Sequence, residues 1–278
     1  MVSVIFPNFA NCNRSRQYQM KKYQLDLPVV SNEFLDARHF RLILRHPLLE
    51  GELGQMRPGQ FVQVQVGESP STFLRRPISV NFVDPEHGEL WLMVQIKGEG
   101  TQRLSNLRPG DMLNLLLPLG NGFTMPKKQE RVLLIGGGVG VAPMLYFGKL
   151  LRDEGIEPVF LLGARSADGL LELDEFSKYG RVMVTTEDGS VGERGFVTQH
   201  SILGESFDRL YVCGPKPMML AVARYARKAG VECEVSLENM MACGVGVCLC
   251  CVEKTVRGNV CVCKEGPVFN INQLTWQI

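Results

Sequence analysis

Six of the chain's nine cysteines fall between Cys243 and Cys263. Cys243-Gly244-Val245-Gly246-Val247-Cys248-Leu249-Cys250-Cys251 has the spacing C-x4-C-x2-C, and eleven residues separate Cys251 from Cys263. A segment this short and glycine-rich cannot fold on an apolar core alone, so a metal centre is expected to organise it. The first three cysteines have the spacing of plant-type [2Fe–2S] proteins, in which a loop wraps one edge of the cluster and a distant fourth cysteine completes it. Two irons need four soft anionic ligands, and thiolates supply them. Gly244 and Gly246 remove side chains from the loop, permit positive φ and let backbone N–H groups point at sulfur. Cys250 and Cys261 are surplus to this count. The alternative is a structural zinc site on Cys248, Cys251, Cys261 and Cys263. Zinc favours two C-x2-C knuckles, and this reading leaves Cys243 and its glycines without a task.

Composition narrows the function classes. The chain has 278 residues, about two domains' worth. It is 45% hydrophobic and 21% charged, a globular composition. Thirty Lys+Arg against 29 Asp+Glu give a formal charge of +1. No basic field is therefore available for nucleic acid or an anionic membrane. The longest uncharged stretch, Val132 to Gly148, has 17 residues with five glycines and a proline, too short and badly composed for a membrane span. The apolar patch Val2 to Phe6 is too short for a secretory leader. With an odd number of cysteines, the expected setting is the reducing cytoplasm.

Three grammars follow one another along the chain. Residues 1–19 read as a disordered extension, or as an upstream start with Met20 the real one. Residues 20–122 read as short strands: Phe40 to Arg45, Phe61 to Val66, Leu90 to Ile96 and Met112 to Leu117. They are separated by Arg57-Pro58-Gly59, Asp84-Pro85 and Arg108-Pro109-Gly110. Evenly spaced strands predict an antiparallel β-barrel or sandwich. Residues 123–235 alternate strands and helices, which predicts an α/β domain with a parallel sheet. From Ser236 to 278 neither period is readable, and this is the small cysteine domain.

Candidate ligand-binding residues lie at strand ends. Arg75-Arg76-Pro77-Ile78-Ser79 presents a guanidinium and a hydroxyl from an extended backbone, which suits a diphosphate-bearing planar ligand. Gly98-Glu99-Gly100-Thr101 could hold phosphate on its amides. An ordinary turn is the plainer reading of each. Gly136-Gly137-Gly138-Val139-Gly140-Val141-Ala142-Pro143 follows a strand and opens a helix, the context a dinucleotide site requires, although Pro143 replaces the final glycine of the usual pattern. Cys213-Gly214-Pro215 is a second strand-to-helix turn, where Cys213 could border a nicotinamide or simply be a small buried hydrophobe. The four histidines show no paired ligand spacing and are mostly expected at the surface. Glu187-Asp188 and Lys127-Lys128 read as solvated loops.

Taken in order, Arg76-Pro77-Ile78-Ser79, Gly98-x-Gly100-Thr101, the glycine turn and Cys213-Gly-Pro-Lys-Pro-Met-Met219 resemble the ferredoxin reductase-like flavoproteins. The tail, Glu238-Asn-Met-Met-Ala-Cys243 through Cys251 and Val262-Cys263-Lys-Glu-Gly-Pro-Val-Phe269, is similar to the electron-transfer subunits of NAD-linked dihydroorotate dehydrogenases. The resemblance runs from about Met20 to the C-terminus.

It implies a FAD-binding β-barrel, an NAD-binding α/β domain and a C-terminal [2Fe–2S] domain. FAD would be bound by Arg76, Pro77, Ile78 and Ser79, by Met93, Val94 and Gln95, and by Gly100 and Thr101. NAD would lie at Gly136, Gly137, Gly138, Val139 and Gly140 and near Cys213 and Gly214. The cluster would sit on Cys243, Cys248, Cys251 and Cys263. The catalytic FMN subunit would be another chain, in a heterotetramer with two of each. Electron counting orders the path. NAD exchanges a hydride and the cluster single electrons, so FAD belongs between them. The implied route in pyrimidine biosynthesis is dihydroorotate, partner FMN, cluster, FAD, NAD+. The diaphorase subunit of a hydrogenase or of a ferredoxin:NADP oxidoreductase shares the layout. No acid follows the strand Val159 to Leu162 to take a ribose 2′-OH, and Arg165 could suit a 2′-phosphate, so NAD rests on the resemblance.

Overall fold

The computed structural model describes residues 21–67 and 71–277. The expected extension and the choice between Met1 and Met20 lie outside the described residues. Six strands, β1 (Tyr23–Phe34), β2 (His39–Arg45), β3 (Phe61–Val64), β4 (Arg76–Asp84), β5 (Glu89–Gln95) and β6 (Met112–Leu119), close into a barrel in the order β1-β2-β5-β4-β3-β6. All its pairings are antiparallel. Alternation along the strands fills the interior: Leu42 and Leu44, Val62 and Val64, Leu90 and Leu92, and Leu113, Leu115 and Leu117 are buried in one core. One short helix, α1 (Glu99–Leu104), leaves the end of β5.

Beyond the barrel, β7 (Val132–Gly137), α2 (Ala142–Asp153), β8 (Val159–Ala164), α3 (Leu173–Ser177), β9 (Arg181–Thr186), β10 (Glu193–Arg194), β11 (Arg209–Cys213), α4 (Lys216–Ala229) and β12 (Glu232–Ser236) alternate as expected. The sheet order is β10-β9-β8-β7-β11-β12 followed by a strand from the tail, β15 (Val268–Asn270), and all neighbours are parallel except the last. The chain runs one way from β7 to β10 and the other way from β11 onward. The order therefore reverses between β7 and β11, and in open sheets of this kind ligands bind at such a switch point, outside the carboxyl ends of the strands.

The segment after Ser236, in which no period is readable, folds as β13 (Val252–Thr255), β14 (Gly258–Cys261), α5 (Val262–Glu265) and β15 (Val268–Asn270). β13 and β14 form a hairpin with Val252 opposite Cys261. β15 joins the large sheet antiparallel to β12. Cys251, Val262, Cys263, Phe269, Ile271 and Leu274 share a core with Phe61 and Leu119 of the barrel and with Val222, Ala223 and Ala226 of α4. The link after β6 is fastened to the tail, Asn121 N–H donating to Gly266 O at 2.6 Å.

Two histidines depart from the surface expectation. His39 and His200 are 5% and 4% exposed. The reason is local: each ring folds back on its own turn, His39 Nδ1 meeting Asp36 Oδ2 at 2.7 Å and His200 Nδ1 accepting from Ile202 N–H at 3.0 Å. Glu187, Asp188, Lys127 and Lys128 are exposed, as expected.

Candidate functional site

The sulfur loop is built by glycine conformation and by a hairpin. Gly244 and Gly246 have φ of 70° and 83°, values that other residues reach only with strain. The loop curls so that its amides turn inward. Val245, Val247 and Cys248 N–H groups donate to Cys243 Sγ at 3.4, 3.3 and 3.5 Å. Gly246 N–H donates to Cys263 Sγ at 3.1 Å, and Cys263 N–H to Cys251 Sγ at 3.3 Å. The β13–β14 hairpin takes up the eleven residues between Cys251 and Cys263, and Val262 N–H donates to Cys251 O at 3.0 Å, so the fourth thiol returns beside the third.

Burial alone would push the Cys243 thiol up, but the three amides override it and hold it at about 6. Cys263 is pushed up to about 12, by burial first and by the Cys251 sulfur beside it. Thiols that oppose one another's ionisation at such close quarters are what a bound cation relieves, because a coordinating thiol is deprotonated outright. Amide donors aimed at sulfur are the usual outer shell of an iron–sulfur cluster. The donor set therefore fits the cluster. Among the described residues no three His, Cys, Asp or Glu side chains converge to hold a metal ion. A two-iron centre spreads its thiolates over two metals, so convergence on one point is a test for zinc and not for the cluster. Of the surplus thiols, Cys250 is exposed, whereas Cys261 is half-buried and donates to Gly246 O at 3.8 Å.

At the barrel, the two flavin motifs meet. A Cβ on Gly100 would lie 2.8 Å from Arg76 Nε and 2.9 Å from Nη2, so the guanidinium of β4 rests on the glycine of α1. Thr101 Oγ1 accepts from Lys97 and Gly98 N–H at 2.9 and 3.2 Å, which fixes the loop. Pairing of β4 with β5 sets Val80 opposite Leu92, the residues that directly follow Ser79 and directly precede Met93. Two side chains here were not foreseen from sequence: Gln63 and Thr72 are buried with unpartnered polar atoms. A lone Gln in an alternating strand looks like a solvent-facing residue, so the sequence carried no signal for it.

The nucleotide motifs meet at the sheet's switch point. Gly136 lies opposite Cys213 in the β7–β11 register. A Cβ on Gly140 would stand 2.6 Å from Cys213 O and from Gly214 Cα, and one on Gly137 2.6 Å from Met218 Sδ. Gly138 needs its freedom for a φ of 55°, and a Cβ there would meet nothing within 4 Å. Cys213 is 1% exposed and its thiol is pushed well up, by burial first and by Glu238 second. A cavity of about 130 Å³ opens nearby, lined by Lys216, Met219, Leu237, Glu238, Asn239, Glu253 and Trp276. Desolvation raises the Glu238 carboxyl, opposed by Lys97. Sequence reasoning did not single out Glu238 or Lys216 as site residues.

Comparison with known proteins decides the family. Residues 238–275 match the iron–sulfur cluster binding domain of dihydroorotate dehydrogenase B, and residues 134–224 the oxidoreductase NAD-binding domain. The electron transfer subunit of dihydroorotate dehydrogenase B (NAD(+)) from Shouchella clausii is 38% identical over 268 residues, which is 92% of this chain and 99% of that protein. The chain belongs to this family of electron transfer subunits. The family member from Caldanaerobacter subterraneus is 42% identical over 76% of this chain and 84% of its own. Among solved structures, a chain of the NADH-dependent reduced ferredoxin-NADP oxidoreductase superposes with a TM-score of 0.80 at 31% identity, covering 90% of each chain. The ferredoxin reductase of carbazole 1,9a-dioxygenase, at 21% identity and a TM-score of 0.62 over 76% of this chain and 67% of its own, shares the fold. The subunit is thus an oxidoreductase component with FAD-, NAD- and iron–sulfur-binding parts.

Proposed function

We propose that the chain carries electrons from the FMN of a dihydroorotate dehydrogenase catalytic subunit, through a [2Fe–2S] cluster and FAD, to NAD+ in pyrimidine biosynthesis. The observation that carries this reading is the set of backbone amides converging on the Cys243, Cys251 and Cys263 sulfurs against the flavin barrel. The assembly is a cytoplasmic heterotetramer with two of each subunit. Among the described residues no helix is long and apolar enough to cross a membrane.

The chain's own residues divide the work. Cys243, Cys248, Cys251 and Cys263 hold the cluster, and the loop amides stabilise negative charge on their sulfurs. Arg76, with Pro77, Ile78 and Ser79, binds FAD. Gly100 and Thr101 bind it beside the guanidinium, and Met93, Val94 and Gln95 complete that wall. Gly136, Gly137, Gly138, Val139 and Gly140 bring backbone amides against the dinucleotide, and Cys213 and Gly214 close the nicotinamide end. When bound, the flavin supplies the conversion between hydride transfer and single-electron transfer. Cys248 is exposed and flanked by Val247 and Leu249 at 78% and 65% exposure, so this side of the sulfur loop is open to a docking partner.

Absorption and EPR spectra of the purified chain, with iron and flavin assayed, test the cofactor set, and a colourless iron-free protein would refute it. The substitution C248S should leave NADH-driven bleaching of the flavin intact and abolish NAD-coupled orotate formation with the partner. Full coupling in C248S would sink the relay. The likeness to the ferredoxin-NADP oxidoreductase chain supports a second reading, a diaphorase subunit. Co-purification with a barrel-type FMN subunit separates the two.

A further inference from the structure

Gln63, beside the sulfur loop, is a feature that these roles leave unexplained. Its side chain is fully buried, and among the described residues neither Nε2 nor Oε1 has a hydrogen-bond partner. A buried carboxamide with both ends unpaired is rare in folded proteins and calls for a ligand or a water. Its surroundings narrow the choice. In the β3–β4 register Gln63 stands opposite Pro77, and Phe61, two residues away on the same face, stands opposite Ser79. Both partners belong to the flavin-binding segment. Between the Phe61–Leu119 and Gln63–Leu116 pairs the register advances two residues on β3 and three on β6, so the ladder is interrupted by an extra β6 residue beside Gln63. On its other side lies the sulfur loop: a Cβ on Gly244 would meet Gln63 Cγ at 2.7 Å and Nε2 at 3.0 Å. The carboxamide nitrogen of a barrel strand is therefore pressed against the residue that follows the cluster ligand Cys243.

We propose that Gln63 is a positioning residue for the cluster, its Nε2–H donating a hydrogen bond from the flavin barrel to a cluster sulfur. Cluster sulfurs are acceptors, and the amide is a donor without an acceptor. A donor at this place stabilises the reduced, more negative cluster more than the oxidised one and so raises its potential. The barrel thereby adjusts the cluster that exchanges electrons with the flavin the same barrel binds. This inference rests on the cofactor assignment above.

The test is an EPR-monitored redox titration of the holoprotein and of two variants, with iron and flavin assayed in each. Q63M keeps the length and removes the donor, and its cluster potential should fall. Q63E keeps the shape, removes the donor and adds negative charge, and its potential should fall further. Cluster reduction by NADH, followed by stopped flow, should slow by roughly tenfold, as for other outer-shell partners. An unchanged potential in either iron-replete variant overturns the proposal. Should both variants lose iron, the native protein decides. Labelled with 15N only at glutamine side-chain amides, it should give a 15N coupling to the reduced cluster by pulsed EPR, and absence of that coupling overturns the proposal. A native protein without cluster or flavin would instead refute the cofactor reading.

Discussion

Glu172 ties the nucleotide domain to the flavin barrel. Its side chain is 1% exposed, and it pairs with Arg41 of β2 at 3.1 Å while Asn81 Nδ2 of β4 donates to it at 3.0 Å. It holds a φ of 56°, a conformation tolerated because these partners fix it. Arg41 in turn lies over the Trp91 ring. Removing the carboxylate as E172A would leave the largely buried Arg41 guanidinium with the exposed Glu33, at 2.8 Å, as its remaining ionic partner, and we expect a loss of about 3 kcal/mol in chemical denaturation. The carboxyl itself is raised by burial, which the Asn81 hydrogen bond and the Arg41 charge only partly offset. A raised acid stabilises the fold most below the ordinary carboxylate range, and that contribution is lost as pH climbs through the raised value. The substitution E172Q abolishes the titration. Its stability relative to the native chain should therefore rise as pH climbs upward from the ordinary carboxylate range, and a difference flat in pH would contradict the assignment.

At the scale of elements, the two strand-to-helix turns at the switch point work as one unit. Gly138 and Gly140 are two residues apart, yet they are glycine for different reasons. G138A meets no atom and bears only the left-handed backbone, a cost of about 1 kcal/mol. G140A drives its Cβ to within 2.6 Å of Cys213 O and Gly214 backbone atoms, so the turns must part. We expect it to lose about 3 kcal/mol and to weaken NADH binding roughly tenfold, with flavin retained in the barrel. Equal melting temperatures and NADH affinities for the two variants would show that the turns are not coupled. The β13–β14 hairpin makes a similar point about long separations. Paired strands convert eleven residues of sequence into adjacency between Cys251 and Cys263.

Across the whole molecule, the C-terminal segment is held in two ways. Its sulfur loop depends on the metal, because glycine-rich backbone with exposed Val247 and Leu249 has little apolar area to bury. Its end, by contrast, is a strand of the large sheet with Phe269, Ile271 and Leu274 in the shared core. Iron removal by a chelator should therefore loosen the chain locally. Limited proteolysis of the iron-free protein is expected to cut between residues 243 and 260 while 268–274 stays protected. Cleavage throughout 243–274, or none, would show that the segment behaves as a single unit.

The sequence by itself determined what period and spacing can encode. Alternation placed β2, β3, β5 and β6 to within a few residues. The switch to alternating strands and helices after Phe123 marked the parallel sheet, and C-x4-C-x2-C marked the sulfur loop. These signals are local, because hydrophobic period and ligand spacing act over a few residues. Tertiary structure decided what depends on residues far apart in the chain meeting. It laid Arg76 on Gly100, brought Gly140 against Cys213, buried Glu172 beneath Arg41 and returned the tail as a strand on β12. It also sealed Gln63 beneath Gly244. No pattern around that glutamine distinguishes it from a solvated one, because its burial is created by a loop about 180 residues further along the chain.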